Sequence, residues 1–347
     1  MSTKTAAKDV RTVLRLYPLQ MPTIEGRDDV GIINDNWLVA DSTGARYVLH
    51  AYGRIRDSDR IAFQLALQEH LLAAGFPVAP AVRTHAGDAF ALVDGVHWTL
   101  SGFIKGTEYD FASAAQATEA GRRLAQFQTV AAGYRGPMVE SPTVPVNDGK
   151  WSAPVSSHVW RISMLSDEHE TRLRELFTGQ GYDEELRYFS DWRRGAATQW
   201  PAERLEALPQ AWLHCDYHGR NMVFQGDTLA GLFDFDFVAH GPRTFDLARG
   251  VFNFGREQRV SATLREDFCR AFLRGFESTL PLSDEERGAM PMMAVLNWVP
   301  DAAFILARQS EPDDRGAGFH LRFGVGMMRA VQAEMQRLAP KLGWPAS

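Results

Sequence analysis

Short apolar runs and two amphipathic segments alternate along the first hundred residues. Apolar residues recurring at helical spacing predict one helix over residues 5–17 and a second over residues 57–74. Apolar runs bounded by turn residues predict strands at residues 20–25, 36–40, 45–52, 77–84, 89–94 and 97–104. This order predicts a sheet-based unit with one helix among its strands.

The pattern changes after Lys105-Gly106, which we expect to be a hinge. Ser113 is placed to cap a helix over residues 113–131. Further helices are predicted at about residues 164–178, 183–199, 245–253, 260–278, 283–308 and 319–338. The sequence therefore predicts an α+β chain of two lobes, with residues 1–104 sheet-based and residues 105–347 mainly helical.

One stretch of the helical half concentrates polar residues between β-like runs. Asp216 and Asn221 share a loop, and the run after them turns at Gly226 and returns to Asp234. This hairpin is expected to bring the three side chains together. Carboxylate and amide oxygens suit Mg²⁺, which takes other ligands from water and substrate phosphates. The layout indicates phosphoryl transfer to a hydroxyl, with Asp216 as a candidate base.

The same residues carry a resemblance to a family. His214, Asp216 and Asn221 form the pattern His-x-Asp-x-x-x-x-Asn, followed by Asp-Phe-Asp at 234–236 and Asp-Leu-Ala at 246–248. The pattern resembles the phosphotransferases related to aminoglycoside kinases, choline kinase and type II homoserine kinase. The resemblance implies a bilobal protein-kinase-like fold, with an antiparallel N-terminal sheet lobe and a helical C-terminal lobe.

The resemblance also implies roles for the residues of this loop. Asp216 is expected to be the catalytic base, and Asn221 and Asp234 to hold Mg²⁺. Asp236 either contacts a second Mg²⁺ or braces the turn, and His218 lies at the surface or contacts the acceptor. Two further residues, His214 and Asp246, are expected to support the loop.

ATP is expected to lie between the lobes. The resemblance places the adenine against the backbone of Gly102 and Ile104, and the apolar walls are expected to come from Val48, Phe103, Phe224 and Phe233. Gly31 and Asn34 resemble the Gly-x-x-Asn that lies over the phosphates in the family.

The third strand departs from the family pattern. His50 stands where the family usually has Lys or Arg, and no lysine lies between Lys8 and Lys105. We expect His50 to contact a phosphate, with its pKa raised by the phosphate charge, or Arg54 or Arg56 to do so. Glu69 resembles the family's helical glutamate.

The acceptor is expected to bind in the helical lobe. Acidic residues suit an amine-bearing acceptor, and the candidates are Asp301, beside Trp298 and Phe304, and the loop residues Glu311, Asp313 and Asp314. Residues 65–78 and 231–235 resemble type II homoserine kinases. A small hydroxylated amine or amino acid, homoserine-like, is therefore expected, with an aminoglycoside or a sugar as the alternative.

Composition narrows these expectations. A net charge of −6 and a pI near 5.9 argue against a general nucleic-acid binder. No apolar run approaches the roughly 20 residues of a membrane span, and the chain start has no secretory h-region. Cys215 and Cys269 form no disulfide framework. A cytoplasmic enzyme acting on a small-molecule hydroxyl is expected, without a nucleic-acid or membrane partner.

Two rival interpretations of the same residues stay open. The missing lysine is compatible with an inactive nucleotide-binding pseudokinase. The run His214-Cys215-Asp216-Tyr217-His218 also contains imidazole and thiolate groups, which suit Zn²⁺ or Fe²⁺ in a metal-dependent hydrolase.

Overall fold

A six-stranded antiparallel sheet dominates the first hundred residues. The computed structural model describes residues 7–28, 35–52, 57–136, 160–306 and 316–344. The strands are Thr23–Asp28 (β1), Asp35–Ala40 (β2), Arg46–Ala51 (β3), Ala81–Val82 (β4), Ala91–Val93 (β5) and Val96–Gly102 (β6). They run in the order β1-β2-β3-β6-β4, and β5 pairs with β6.

Two helices flank this sheet. Helix α1, Ala7–Leu14, packs Val10 and Val13 against the sheet residues Trp37 and Trp98. Helix α2, Ser58–Ala73, begins where the Asp57 side chain accepts hydrogen bonds from two backbone amides. Phe63, Leu67 and Leu71 of α2 instead join the core of the C-terminal half, whereas Ile61 and Leu65 form a separate cluster with Tyr52. This helix therefore connects the two lobes.

The C-terminal half is mainly helical and contains two small two-stranded sheets. Its helices are Ala114–Ala131 (α3), Asp167–Phe177 (α4), Asp183–Gln199 (α5), Ala202–Glu206 (α6), Thr244–Gly255 (α7), Glu266–Glu277 (α8), Asp284–Leu296 (α9), Ala302–Leu306 (α10) and Ala317–Leu338 (α11). Its strands are Gln210–Leu213 (β7), Met222–Gln225 (β8), Thr228–Leu232 (β9) and Ala239–Pro242 (β10), and 3₁₀ turns span Trp160–Leu165 and Gly219–Asn221. Strand β7 pairs with β10, and β8 pairs with β9.

Close helix packing and backbone hydrogen bonds next to the hinge hold this half in place. Helices α3 and α8 approach so closely that a Cβ added to Gly121 would lie 1.9 Å from the Phe272 carbonyl oxygen. After the hinge, Thr107 and Phe224 exchange two backbone hydrogen bonds, at 2.9 and 2.8 Å. The chain that links the lobes is therefore fastened to β8, directly beside the polar loop.

The predicted α+β organisation is confirmed, and several boundaries were wrong. The strand predicted at 77–84 shrinks to β4, because Pro77 and Pro80 have no N–H to donate to a sheet. The helix predicted at 283–308 breaks into α9 and α10, since Pro300 disfavours helical backbone in the residue before it. Among the described residues, no helix is long and apolar enough to cross a membrane.

Candidate active site

A buried carboxylate fixes the loop that holds Asp216. Asp246, in the first turn of α7, accepts hydrogen bonds from the backbone amides of His214 at 2.6 Å and Cys215 at 2.9 Å. Burial raises the pKa of Asp246 to about 7, although these two amides and Arg249 act against that rise. Asp246 is thus the brace of the loop that the sequence led us to expect.

The Asp216 side chain is held from three sides. Its Oδ2 accepts a hydrogen bond from Nδ2 of Asn221 at 2.9 Å and lies 3.2 Å from Nε2 of His218. Its Oδ1 accepts one from Nη2 of Arg249. Burial opposes ionisation of Asp216, but the charges of His218 and Arg249 outweigh it and hold the pKa well below its usual range. Asp216 is therefore a charged, oriented acceptor of hydrogen bonds.

The return strand of the hairpin is tied to the same loop. The backbone amide of Phe233 donates to the Asn221 carbonyl at 2.9 Å, and Nε2 of His214 lies 2.8 Å from the Phe233 carbonyl. Asp234 follows directly, with a left-handed φ of 61°. The structure therefore brings Asp216, Asn221 and Asp234 together.

Negative charge accumulates where Asp234 reaches solvent. Desolvation by the surrounding protein, and then the charges of Asp236 and Asp216, raise the pKa of Asp234 well above its ordinary value. A divalent cation would relieve this repulsion. Asn221 uses its Nδ2 to bond Asp216, so its Oδ1 is the atom left to act as a ligand. An amide oxygen and a carboxylate beside each other fit the donor set of Mg²⁺.

The transition-metal interpretation of the loop does not fit this geometry. Nε2 of His214 is bonded to a carbonyl, and its Nδ1 lies 3.3 Å from the amide nitrogen of Asp216. Within the described ranges, no three His, Cys, Asp or Glu side chains converge in a way that could hold a metal ion. His214 therefore supports the loop.

The helical partner of this loop is not Glu69. The Glu69 carboxylate is 42% exposed and pairs with Arg83 at 2.6 Å, so the nucleotide-site role that its resemblance to the family's glutamate implied was wrong. Two other residues of α2, Arg60 and Gln64, are buried and both donate to the Asp236 carbonyl oxygen, Gln64 at 3.2 Å. Burial lowers the pKa of Arg60 to about 10, partly offset by Asp236 and Asp57, so Arg60 is charged at neutral pH. Arg60 brings a positive charge to the Asp-Phe-Asp segment.

His50 lies in the sheet as predicted, but its environment differs from the expected one. Nδ1 of His50 is 2.7 Å from Oδ1 of Asn36, and Nε2 is buried without a hydrogen-bond partner among the described residues. Burial lowers the pKa of His50, with Asp236 and Asp35 acting in the opposite direction. His50 is therefore neutral in the free protein, and the rise in its pKa expected from bound phosphates stays a prediction.

The residues expected around adenine separate into two groups. Phe224 is 1% exposed and lies in the core of the C-terminal lobe, so its predicted role as a cleft wall was wrong. Side chains alternate along a strand, and Val223 instead lies with Ile104 and Phe233 around Gly231, each within 3.3 Å of a Cβ added there. Ile104, Val223 and Phe233 thus form an apolar patch at the hinge.

The hinge also carries a carbonyl without its usual partner. The Gly102 amide donates to the Pro80 carbonyl at 2.9 Å. The reciprocal hydrogen bond, from residue 80 to the Gly102 carbonyl, cannot form because proline has no N–H. Residue 80 therefore supplies no hydrogen bond to that carbonyl.

A cavity of about 310 Å³ opens beside Asp216, and we call it the Asp216 cavity. Its acidic and basic lining residues are Asp216, Arg249 and Asp301, and its aromatic ones are Phe237, Trp298, Phe304, His320 and Phe323. Oδ1 of Asp301 caps α10 by accepting from the backbone amides of Ala303 and Phe304. Three of the residues expected at the acceptor, Asp301, Trp298 and Phe304, thus share one cavity with the candidate base. His218 contacts the base but does not line the cavity.

Several expected residues lie outside the described ranges. These are Gly31, Asn34, Arg54, Arg56, Glu311, Asp313 and Asp314. Conversely, sequence reasoning missed Arg60, Gln64 and Arg249. Arg249 directly follows the Asp-Leu-Ala segment, which is a signal that could have directed attention to it.

Removing the Arg60 charge is expected to raise the KM for MgATP. Arg60→Met should raise the KM for MgATP by about tenfold or more, because a hydrogen bond from a charged donor is worth about 1.5–3 kcal/mol. Steady-state kinetics at varied MgATP, with thermal unfolding as a check on folding, measure the effect. Glu69→Gln, on the outer side of the same helix, is the matched control and should leave this KM unchanged. Equal KM values in Arg60→Met and wild type would contradict the role of Arg60.

Comparisons with known proteins identify the family of the chain. The family model described as "Phosphotransferase enzyme family" matches residues 27–282, more than half of the chain. A homoserine kinase of Methylobacterium radiotolerans is 27% identical over 306 residues, which cover 84% of this chain and 86% of that protein.

Solved structures show the same fold at low sequence identity. A microcompartment-associated aminopropanol kinase matches with a TM-score of 0.70 at 13% identity, over 99% of this chain and 100% of that one. An amicoumacin kinase, solved in complex with AMP-PNP, Ca²⁺ and Ami, matches with a TM-score of 0.66 at 13% identity, over 95% and 94% of the two chains. The expected bilobal, protein-kinase-like fold is confirmed. The chain belongs to the phosphotransferase enzyme family, and it is an ATP-dependent phosphotransferase that acts on a hydroxyl group.

Proposed function

We propose that the enzyme transfers the γ-phosphate of MgATP to the hydroxyl of a small amino-acid-like acceptor similar to homoserine. The position of Asp216 is the main support for this function. Asp216 lines a cavity of suitable size and, through Asn221, also touches the loop of the candidate metal ligands. A base in this position faces an acceptor on one side and a nucleotide on the other.

Asp216 would act on the acceptor hydroxyl. One carboxylate oxygen accepts the hydroxyl hydrogen bond and directs the oxygen at the γ-phosphorus. As the new O–P bond forms, the bond from the γ-phosphorus to the bridging oxygen breaks, ADP leaves and the hydroxyl proton passes to Asp216. A carboxylate with a low pKa suits this role, because the transition state is loose and little basicity is needed early.

Asn221 and Asp234 would hold the metal. Mg²⁺ bound there supplies charge neutralisation for the phosphates. Asp236 is 4% exposed and its carbonyl is held by Arg60 and Gln64, which favours the bracing role over a second metal site. Residues 1–104 would then form the nucleotide-binding lobe and residues 105–347 the lobe with the acceptor site.

The hinge supports an adenine site between the lobes. The Gly102 carbonyl lacks a donor from Pro80, and the adenine amino group could provide one. The Ile104 amide would serve the neighbouring ring nitrogen, and the patch of Ile104, Val223 and Phe233 would cover the ring faces.

The lining of the Asp216 cavity supports an amine-bearing acceptor. Asp301 uses Oδ1 to cap α10, which leaves Oδ2 for an ammonium group. Trp298 and Phe304 offer aromatic faces to a short carbon chain or to the cation itself. Relatives named as homoserine kinases make a hydroxy amino acid the first choice.

A coupled ADP-release screen tests this function. L-homoserine, amino alcohols, aminoglycosides and hexoses are each supplied with MgATP, and ³¹P NMR identifies the phosphorylated product. Acceptor-dependent ADP release with L-homoserine is the expected result. Release with aminoglycosides or hexoses alone would establish the alternative acceptor class, and release with none of these acceptors would contradict the proposed function.

A further inference from the structure

The lining of the Asp216 cavity includes an arginine that contacts the base. Arg249, from α7, donates from Nη2 to Oδ1 of Asp216 and from Nη1 to Oδ1 of Asn297 at 3.2 Å. Its side chain is 17% exposed and lines the cavity. Within the described part of the chain, its Nε is buried without a hydrogen-bond partner. A guanidinium has five N–H donors, so Arg249 keeps donors for a further anion.

Both carboxylate oxygens of Asp216 are occupied in this arrangement. Oδ2 accepts from Asn221 at 2.9 Å, and Oδ1 accepts from Arg249. An acceptor hydroxyl needs one of these oxygens for its proton. Asn221 and His218 both lie at Oδ2, so Oδ1, which among the described residues accepts only from Arg249, is the oxygen with room for the acceptor hydroxyl. The charge of Arg249 on Oδ1 weakens it as a proton acceptor, so a shift of Arg249 when the acceptor binds would restore the base.

Moving Arg249 is costly unless another anion replaces Asp216. Separating a partly buried ion pair leaves an uncompensated charge. Burial and the nearby charge of Arg249 lower the pKa of Arg256 to about 10, so positive charges already repel one another at this end of α7. A carboxylate is the fitting replacement, because it accepts two parallel hydrogen bonds from one guanidinium.

We propose that Arg249 selects acceptors that carry a carboxylate, and that this carboxylate draws Arg249 away from Asp216 and frees Oδ1 for the acceptor hydroxyl. The inference rests on the proposed function and names the residue that chooses between hydroxy amino acids and amino alcohols. Since Arg249 touches Asp216, the carboxylate and the hydroxyl of the acceptor must be separated by only a few carbon atoms. Without such an acceptor, the ion pair keeps the base from activating water.

Two acceptors that differ only in the carboxylate provide the test. L-homoserine and 3-amino-1-propanol share the hydroxyl, the amine and the three-carbon spacing between them. We expect wild-type enzyme to prefer homoserine in kcat/KM by about 100-fold or more, because a site that pairs a polar group rejects the analogue lacking it. In Arg249→Met the preference should fall below about threefold, through a higher KM for homoserine and an unchanged or higher kcat for the amino alcohol.

Two further variants separate selection from general charge effects. Arg249→Lys keeps the charge without the planar pair of donors and should show an intermediate preference. Arg256→Met removes a neighbouring positive charge outside the lining of the cavity and should keep the wild-type preference. Calorimetric titration with L-2-aminobutyrate, in the presence of AMP-PNP and Mg²⁺, adds a readout that needs no turnover. Binding to wild type and at least about tenfold weaker binding to Arg249→Met are expected.

The outcomes separate this inference from the proposed function. Equal losses with both acceptors in Arg249→Met would overturn the inference, because they would assign Arg249 to the phosphoryl group or to Asp216 alone. Wild-type enzyme that uses 3-amino-1-propanol as well as homoserine would also overturn it, while leaving the kinase function intact. Equal binding of L-2-aminobutyrate to both proteins would do the same. Failure of every acceptor in the ADP-release screen would instead overturn the proposed function.

Discussion

Asp216→Asn is expected to lower kcat for acceptor phosphorylation by about 10³-fold, within the range of about 10²–10⁴ that general-base catalysis contributes. The amide keeps the size of the side chain and can still accept from Arg249, but it cannot take the hydroxyl proton. Nucleotide binding should be unchanged, because the candidate metal ligands Asn221 and Asp234 are retained. Single-turnover phosphoryl transfer and titration with AMP-PNP measure the two effects separately.

Asp227 offers a matched control for this substitution. It lies in the turn of the same hairpin, where Oδ1 accepts a hydrogen bond from Oγ of Ser113 at 2.9 Å. Asp227→Asn should leave kcat within about twofold of wild type, as surface substitutions usually have small effects. Transfer by Asp216→Asn at a rate close to wild type would show that another group is the base.

Local spacing explains why the centre of the site could be predicted. Asp216 and Asn221 lie five residues apart, and Gly226 sets a hairpin that returns to Asp234 within a short distance along the chain. Turn chemistry and the two-residue period of strands are local properties. A sequence can therefore indicate that these three side chains meet before any tertiary contact is known.

The sequence-based predictions failed where a contact forms between residues far apart along the chain. Arg249 reaches Asp216 across 33 positions and Arg60 reaches the Asp236 carbonyl across 176, and no local pattern encodes either pairing. On α2, Arg60 and Gln64 are four residues apart and share the buried face, whereas Glu69 falls off it and finds Arg83 outside. Glu69 was thus the conspicuous acidic residue of this helix, but its side chain lies on the outer face.

The alternation of side chains along β8 would have corrected the prediction that Phe224 forms a wall of the adenine site. Met222 and Phe224 share one face of β8, and both are buried in the core of the C-terminal lobe. Val223, between them, faces the hinge. Phe224 was predicted as the wall because its side chain is large. The two-residue period of a strand already assigned it to the face of β8 opposite Val223.

Asp234→Asn is expected to weaken the affinity for MgATP by about 100-fold, the upper end of the loss that follows removal of even an outer partner of a metal ligand. The change removes a charged ligand from beside Asn221. Asparagine tolerates the left-handed φ of 61° at this position, so backbone strain does not add to the effect. Titration of nucleotide binding against Mg²⁺ measures the loss, with Asp227→Asn as the control in the same hairpin.

Thermal unfolding should show a second effect of Asp234→Asn. The variant should be more stable than wild type without Mg²⁺, although it binds MgATP more weakly. The folded protein raises the pKa of Asp234 through desolvation and the charges of Asp236 and Asp216. A carboxyl whose pKa is raised on folding contributes stability at low pH, which is lost as pH rises through the folded pKa. Neutral pH lies above the ordinary pKa of a carboxyl, so this upward shift opposes folding there, and Asp234→Asn should raise Tm in the absence of Mg²⁺. At MgATP concentrations below its own Kd, the same variant should lose most of the further rise that MgATP gives to wild type, because stabilisation by a ligand depends on its concentration relative to Kd. A lower Tm without Mg²⁺, or an undiminished rise with MgATP, would contradict the assignment of Asp234 as a metal ligand held among repelling carboxylates.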